Sequence, residues 1–506
     1  MHEVVEVIAL TGGVIKGPSI DWMAIGPEMA LMGAAVVVVL ARSLMRRRGP
    51  VNQVSLAVAI AGVVAAGAVL FRQWNLVRDH GAIKTIAGMV RVDTFGVYLG
   101  VVVLAATIMA LFLAASYVER EQLEAPEYYA LLLLSAAGML TMTTANDLVV
   151  VFLALEVLSI PLYVLAAFDR RRLSSQESGI KYFVLGAFSS AIFLYGVALV
   201  YGATGTTSLT GIAKFLAQNT LFEQGTLLAG LALLLVGIGF KIAAVPFHMW
   251  TPDVYQGAPT PVTAFMSSAT KVAGFAAFLR IFLVAFPIYR TDWRPIIMGL
   301  ATLTLIVGTV AAVVQTDIKR ILAYSSIAHA GYILIGFQVA TARGRQAALL
   351  YLLVYAFMTV GAFAVITVAT RQGDDHHSLD DYRGLALRRP VLGGLLAFFV
   401  LAQAGVPLTG GFIVKLEVFA AAVDANEYAL AIIGVLAAVV AAFFYLRIAV
   451  ALFTKPEGDD PAPAVEDRRL DGWTGAVLAV AAAATLFAGV LPGAWLHFAK
   501  DATFLL

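Results

Sequence analysis

Apolar residues come along this chain in unbroken runs of about twenty, set off by short polar connections, with no period-two alternation. Runs of that length cross a bilayer as helices, whereas membrane-barrel strands alternate over about ten residues. Windowed hydropathy predicts about fourteen spans, near 22–42, 53–71, 94–117, 128–145, 147–168, 181–202, 226–248, 260–286, 296–315, 319–340, 346–370, 391–423, 427–453 and 472–493. Spans four and five nearly merge at Asn146–Asp147. The pattern therefore predicts an all-α polytopic membrane protein. No sizeable soluble domain fits between the spans; the longest polar connections are 371–390 and 454–472.

Composition agrees and narrows the classes. Of 506 residues 61% are hydrophobic and 13% charged, with a mean hydropathy of +0.89; a soluble domain is nearer half apolar and a quarter charged. A net charge of +2 gives no basis for nucleic-acid binding. The absence of cysteine excludes disulfides, thiol-ligated iron–sulfur clusters and thiol catalysis from this chain. The N-terminal MHEVVEVIALTGGVIKG has acids where a signal peptide needs a basic region, so no cleaved signal is expected. Basic residues crowd one set of alternate loops: Arg42 with Arg46–Arg48, Arg170–Arg172 with Lys181, Lys319–Arg320, Arg383 with Arg388–Arg389, and Lys455 with Arg468–Arg469. The opposite loops hold fewer, mainly Arg72, Arg78, Lys84, Arg91, Arg290, Arg294, Arg343 and Arg345. By the positive-inside rule the first set is cytoplasmic and both termini lie outside.

Four ionisable residues sit deep in apolar segments: Glu156, Lys241, Lys271 and Lys415. An ionised lysine at a bilayer centre costs about 2.5–3.5 kcal/mol on insertion scales, so its presence points to use. Lys241 is bracketed by Gly237, Gly239 and Pro246, which weaken the helix beside the charge. Lys415 follows Gly405, Pro407, Gly410 and Gly411 in another interrupted segment. Irregular backbone at membrane depth is tolerated where it is buried in protein or lines a cavity. A row of lysines at helix breaks, fed by the acid Glu156, reads as a proton relay with an electrostatic gate, because lysine can release its proton where arginine cannot. Static pairing explains such charges less well, since three basic residues share one acid. Weaker candidates are His329, which could pass protons between lysines near neutral pH, and Lys319, which anchors or feeds the relay. Glu417 is two residues from Lys415 and points to a different helix face. His248 beside Trp250 reads as interfacial, Tyr163, Tyr182 and Tyr355 as packing, and His376–His377 with Asp374, Asp375, Asp380 and Asp381 as a solvated loop rather than a metal site.

The run FKIAAVPFHMWTPDVYQGAPTPVTAF, followed by ATKVAGF, resembles the antiporter-like membrane subunits of respiratory complex I and of Mrp-type cation/proton antiporters. DIKRILAYSSIAHAGY and GVPLTGGFIVKLEVF match further signatures, and the likeness covers roughly 90–450. Within the family it is similar to the N branch of NADH–quinone oxidoreductase: Lys415 stands where the M branch has glutamate, and no long lateral helix like that of the L branch follows the last span. The resemblance implies a functional glutamate on span five (Glu156) and lysines on spans seven, eight and twelve (Lys241, Lys271, Lys415). It implies broken helices at spans seven and twelve, inside two inverted five-helix repeats, spans four to eight and nine to thirteen. The division that follows is an N-terminal three-helix segment (1–127), a proton-translocating core (128–453, repeats about 128–286 and 296–453), and a loop with a C-terminal helix (454–506). It further implies a subunit of a proton-translocating NADH:quinone oxidoreductase in a bacterial inner membrane, with FMN, iron–sulfur clusters and quinone held by partner subunits, no cofactor or metal in this chain, and homologous antiporter-like neighbours. The alternative is an Mrp-type Na⁺/H⁺ antiporter subunit.

Overall fold

The computed structural model describes residues 17–45, 48–123, 125–221, 224–370, 373–455, 470–502 and 504. The acidic N-terminal stretch, Arg46, Arg47, and Arg468–Arg469 of the 454–472 connection lie outside the described residues.

The chain runs through α1 (Gly26–Leu44), α2 (Arg48–His80), α3 (Thr94–Arg120), α4 (Ala125–Thr144), α5 (Leu148–Ala166) and α6 (Leu173–Thr204). A short α7 (Leu209–Gln218), then α8 (Gly225–Ile242) and α9 (Trp250–Gly257), lead into α10 (Thr260–Ala285), which contains two π-helical turns. The second half holds α11 (Arg290–Val313), α12 (Ile318–Gln338), α13 (Ala342–Ala369), α14 (Pro390–Ala404), α15 (Gly410–Asp424), α16 (Tyr428–Phe453), α17 (Gly472–Val490) and α18 (Pro492–Asp501). One element among the described residues is not helical: β1 (Ile83–Thr85) pairs antiparallel with β2 (Val90–Val92) between α2 and α3.

Side-chain caps set the helix starts. Asp93, Asp147, Asp317 and Thr341 each accept a backbone N–H of the first turn of α3, α5, α12 and α13. Asp147 thereby separates α4 from α5 at the point where hydropathy alone nearly fuses them. Asn146 beside it donates from Nδ2 to Gly88 O at 2.9 Å, tying the break to the hairpin.

Twelve described helices are long and apolar enough to cross a membrane. The other two expected spans differ in kind. α4 carries Glu127 and paired tyrosines near its start and threonines at its end, and packs between α1, α3 and α5, so it needs no apolar coat. The expected span 391–423 is two helices, α14 and α15, parted after Gly405, whose φ is +95°.

Burial sorts the bundle radially. The apolar windows of α10, α12 and α13 are 94% buried, against 33% for α2 and 39% for α6. The central three therefore provide a dry interior, and the peripheral helices turn their apolar side outward. Gly237 and Gly239 do not weaken α8, as their sequence position suggested. The helix runs through both and ends at Ile242, with Ala243 left-handed at φ +60°. The glycines allow close approach instead: a Cβ at Gly237 would stand 2.4 Å from Phe193 Cβ, and one at Gly239 would stand 2.7 Å from Phe247 Cδ2.

Candidate functional site

The site lies along the three central helices and the two interrupted spans. Lys241 is the penultimate residue of α8 and 3% exposed. Its Nζ donates to Ser159 Oγ (2.8 Å, α5) and to Tyr182 OH (3.1 Å, α6), and lies 5.4 Å from the Tyr182 ring centre. Lys271 on α10 directly follows a π-helical turn, Met266–Thr270, a distortion that often marks function. Its ammonium donates to Ser326 of α12, to Oγ at 2.7 Å and also to the backbone carbonyl, and faces the Tyr355 ring at 5.2 Å. Lys415 on α15 donates to Gln403 O (2.9 Å) and Ala404 O (2.7 Å), the last carbonyls of α14, and lies 5.0 Å from the Tyr332 ring centre. Each ammonium thus lies within 5.4 Å of a tyrosine ring centre, Lys241 at the hydroxyl end of its ring. Among the described residues no carboxylate pairs with any of the three.

Glu156 and Lys241 do not form the direct pair the sequence invited. Glu156 is half-buried on α5, and its Oε1 has no hydrogen-bond partner. Ser159, three residues on and hence on the same helix face, holds the ammonium in its place. The Glu156 charge is still near enough to act on Lys241 electrostatically.

Contacts link these groups in a series. A Cβ at Gly274, one turn past Lys271, would lie 3.5 Å from Lys241 Cγ, so the backbone carrying Lys271 runs against Lys241. Ser326 also accepts Tyr355 OH at 2.8 Å, and the Tyr355 ring lies 4.9 Å from the His329 ring. His329, fully buried, shares hydrogen bonds with Tyr351 OH (2.7 Å) and Tyr445 OH (3.0 Å). Tyr445 in turn bonds Ser325 Oγ at 2.5 Å, and Ser325 donates to Gln403 Oε1 at 3.2 Å. The carbonyl of the same Gln403 receives Lys415. Hydrogen bonds therefore join Lys271 to Ser326 and Tyr355, and His329 through Tyr445 and Ser325 to Gln403, while packing contacts alone join Lys241 to the Lys271 backbone and Tyr355 to His329.

Several readings from sequence change. Tyr182 and Tyr355 hydrogen-bond to Lys241 and Ser326 rather than only packing, and Tyr163 stands edge-on to Tyr182 at 4.8 Å. Glu417 pairs with Arg343 at 3.4 Å, away from Lys415. His248 is buried, and its Nδ1 has no partner. The deep basic residues are not all lysine: Arg280, 2% exposed on α10, meets Asp93 at 2.5 Å and donates from Nε to Thr143 O at 2.8 Å. Lys319 is fully buried, donates to Ala258 O at 2.8 Å and stands 3.7 Å from Asp374. The 371–390 connection is not a uniformly solvated loop, since Asp374 and His377 are buried in it. No group of three or more His, Asp or Glu among the described residues is arranged to hold a metal ion. Ser159, Gln403 and Tyr445 were not singled out from sequence. Their one signal is a polar residue on a lysine-bearing or lysine-facing helix, which short hydroxyl side chains give too commonly to count.

Comparison with known proteins places this geometry in context. The NADH:quinone oxidoreductase/Mrp antiporter transmembrane family matches residues 145–441. The NADH-quinone oxidoreductase subunit N of Rhodococcus opacus is 42% identical over 98% of this chain and 98% of its own length. That of Trichlorobacter lovleyi is 43% identical over 88% of this chain and 90% of its own. A chain of respiratory complex I from Thermus thermophilus, solved with bound aureothin, superposes with a TM-score of 0.77 at 33% identity, over 94% of this chain and 99% of that one. A chain of the Mrp complex from Dietzia sp. superposes at 0.81 over 95% of this chain and 96% of that one; at 23% identity that likeness concerns the fold alone.

Proposed function

The chain belongs to the NADH:quinone oxidoreductase/Mrp antiporter family of membrane proteins, and from that premise we propose that it is a proton-translocating membrane subunit, of the N type, in a bacterial respiratory NADH–quinone oxidoreductase. Electron transfer from NADH to quinone takes place in other subunits, which hold the FMN, iron–sulfur clusters and quinone. This chain moves protons across the inner membrane in step with it, beside homologous antiporter-like subunits.

The observation that carries the reading is the set of three buried lysines, each beside a tyrosine ring, with hydroxyls and one imidazole between the Lys271 and Lys415 positions and packing contact between Lys241 and the backbone of Lys271. A hydroxyl accepts one proton as it gives up another, so such groups conduct protons without moving the backbone. In our assignment Glu156 gates Lys241 through Ser159, Lys271 is the central relay, His329 bridges through Tyr445, and Lys415 is the transfer or exit site. Lys319 joins the row from its loop end. A sodium-exchanging role has less support, because sodium needs oxygen ligands and the centre presents ammonium groups.

The same premise supports fourteen crossings, counting α4 and taking α14 with α15 as one interrupted span. The packing of α4 on α5 and of α6 on α8 has counterparts in α11 on α12 and in α13 on α14 and α15. That parallel supports two five-helix repeats, about 128–286 and 296–453, after a three-helix segment (1–127) and before the 454–506 tail. Both termini then face the outer side.

The test is the assembled complex in sealed vesicles. Lys241→Ala is expected to retain part of the NADH–quinone electron transfer and to lower the protons moved per electron. An unchanged ratio would overturn the assignment.

A further inference from the structure

At the loop end of the bundle a cavity of about 520 Å³ opens between the start of α6, α9, the start of α12 and residues 374–377. Its wall carries both signs of charge. Lys181 bridges Glu177 and Asp253, each at 2.7 Å, and Arg320 reaches Asp253 at 2.7 Å. At the inner end the wall closes on Asp374, which is fully buried. Asp374 accepts the Thr260 N–H (3.0 Å) and hydroxyl (2.7 Å), Tyr117 OH (3.2 Å) and Arg172 Nη1 (3.1 Å). His377 Nε2 stands at 3.4 Å, and Lys319 Nζ at 3.7 Å. Burial alone would raise the Asp374 carboxyl, but Lys319, His377 and Arg172 hold it well below the usual carboxylate range. It is therefore an anion at neutral pH.

Lys319 is the link inward. Ser326, which receives Lys271, lies seven residues along the same helix from Lys319, two turns and about 10 Å of rise on the same face. Between the cavity and Lys271, Lys319 is the first group on α12 able to lose and regain a proton.

We propose that this cavity is the proton-uptake vestibule of the subunit, and that Asp374, at its inner wall, is a positioning residue that holds Lys319 as the first proton carrier behind it. The inference rests on the reading of Lys271 as a relay residue. In the step, once Lys271 has passed its own proton onward and stands as the neutral amine, an N–H bond of the Lys319 ammonium breaks and its proton is carried inward to form a new N–H bond on Lys271, beside Ser326. The neutral amine then takes a proton from the aqueous cavity, restoring the ammonium beside Asp374. Asp374 itself stays ionised throughout. The titratable groups facing the pair are Arg172 and Tyr117, Tyr128 of α4, Asp317 before α12, and His377, Asp375 and Tyr382 of the loop.

The test uses the whole complex in sealed vesicles, with assembly checked by co-purification of all subunits. Asp374→Asn keeps the shape and removes the charge opposing Lys319. Its alkaline limb of NADH-driven proton movement is expected to shift to lower pH by about one unit, a change a purely structural role would not produce. Lys319→Arg keeps the cation and its neighbours but cannot release a proton, and is expected to lower the protons per electron at least about twofold. A wild-type ratio in assembled Lys319→Arg overturns the proposal, as does a coincident pH profile in assembled Asp374→Asn. Should Asp374→Asn fail to assemble, Lys319→Arg decides alone. Lys271→Ala is the control: if it too keeps the wild-type ratio, the relay reading has failed and not merely the vestibule.

Discussion

Lys241 stands before the break in its span and Lys415 after the break in its own, and the two are held by different chemistry. Lys241 sits on two hydroxyls, Ser159 and Tyr182, with the Glu156 charge a helical turn beyond. Lys415 reaches back to the carbonyls of Gln403 and Ala404, the end of a helix whose dipole places about half a negative charge there. Hydroxyls both give and take protons, whereas carbonyls only accept hydrogen bonds. The first arrangement suits exchange, with an acid near enough to bias it. The second suits retention, with the backbone of α14 supplying the counter-charge that no carboxylate provides. Two lysines that look equivalent in a sequence are thus held differently, one by hydroxyls that can exchange protons and one by carbonyls that only accept its hydrogen bonds.

Substitution by arginine tests that division most strongly. Lys241→Arg is expected to slow proton translocation about tenfold, equivalent to about 1.4 kcal/mol, because the guanidinium keeps its proton. Lys415→Arg is expected to reduce it as much while leaving thermal stability near wild type, since the carbonyls still find donors. Retained pumping in Lys241→Arg, measured as protons per electron, would remove the distinction.

The next effect concerns the cradle. Gly405 is left-handed, and a Cβ there would stand 3.1 Å from Lys415 Cδ. A non-glycine residue in that conformation costs about 1–2 kcal/mol. Gly405→Ala is therefore expected to lower the melting temperature of the purified complex by a few degrees and to displace Lys415, with a parallel loss of pumping. Gly394→Ala, where nothing lies within 4 Å, is the comparison. Equal behaviour of the two variants would mean that the cradle does not fix Lys415.

Smaller effects separate the partners. Ser159→Ala removes one of two hydroxyls from Lys241, and Glu156→Gln removes the biasing charge. If Ser159 mediates between them, the double variant departs from additivity by about 0.5 kcal/mol or more. Simple addition of the two losses in a double-mutant cycle would show that they act separately. Smallest is Tyr445→Phe, which deletes one neutral hydroxyl link worth about 1 kcal/mol between His329 and Ser325. It should lower pumping modestly and leave the Lys241 side untouched.

Length and continuity of apolar runs made the membrane class legible, because a bilayer imposes both. The deep lysines were legible for the same reason, since each is costly where it stands. What the pattern hid were features that depend on packing between distant segments. α4 is surrounded by protein and so escapes the apolarity that lipid demands. Gly237 and Gly239 look like helix breakers in one dimension, yet Phe193 and Phe247 need their missing side chains. Asp374, in a run of acids and histidines, has the composition of a surface loop, and only its partners from α3, the start of α6, α10 and α12 make it a buried anion.

That last arrangement also bears on how the protein is made. Arg172 and Asp374 are 202 residues apart, and between Lys319 and its acid lie nearly all of α12 and the whole of α13. During synthesis the cations are therefore made long before their counter-charge exists. A chain stalled ahead of Asp374 would present uncompensated cationic side chains at the loop end of its helices. The loop that completes the cluster works as a clasp, one carboxylate tying α3, the start of α6, α10 and α12 together before α14 to α17 have been made.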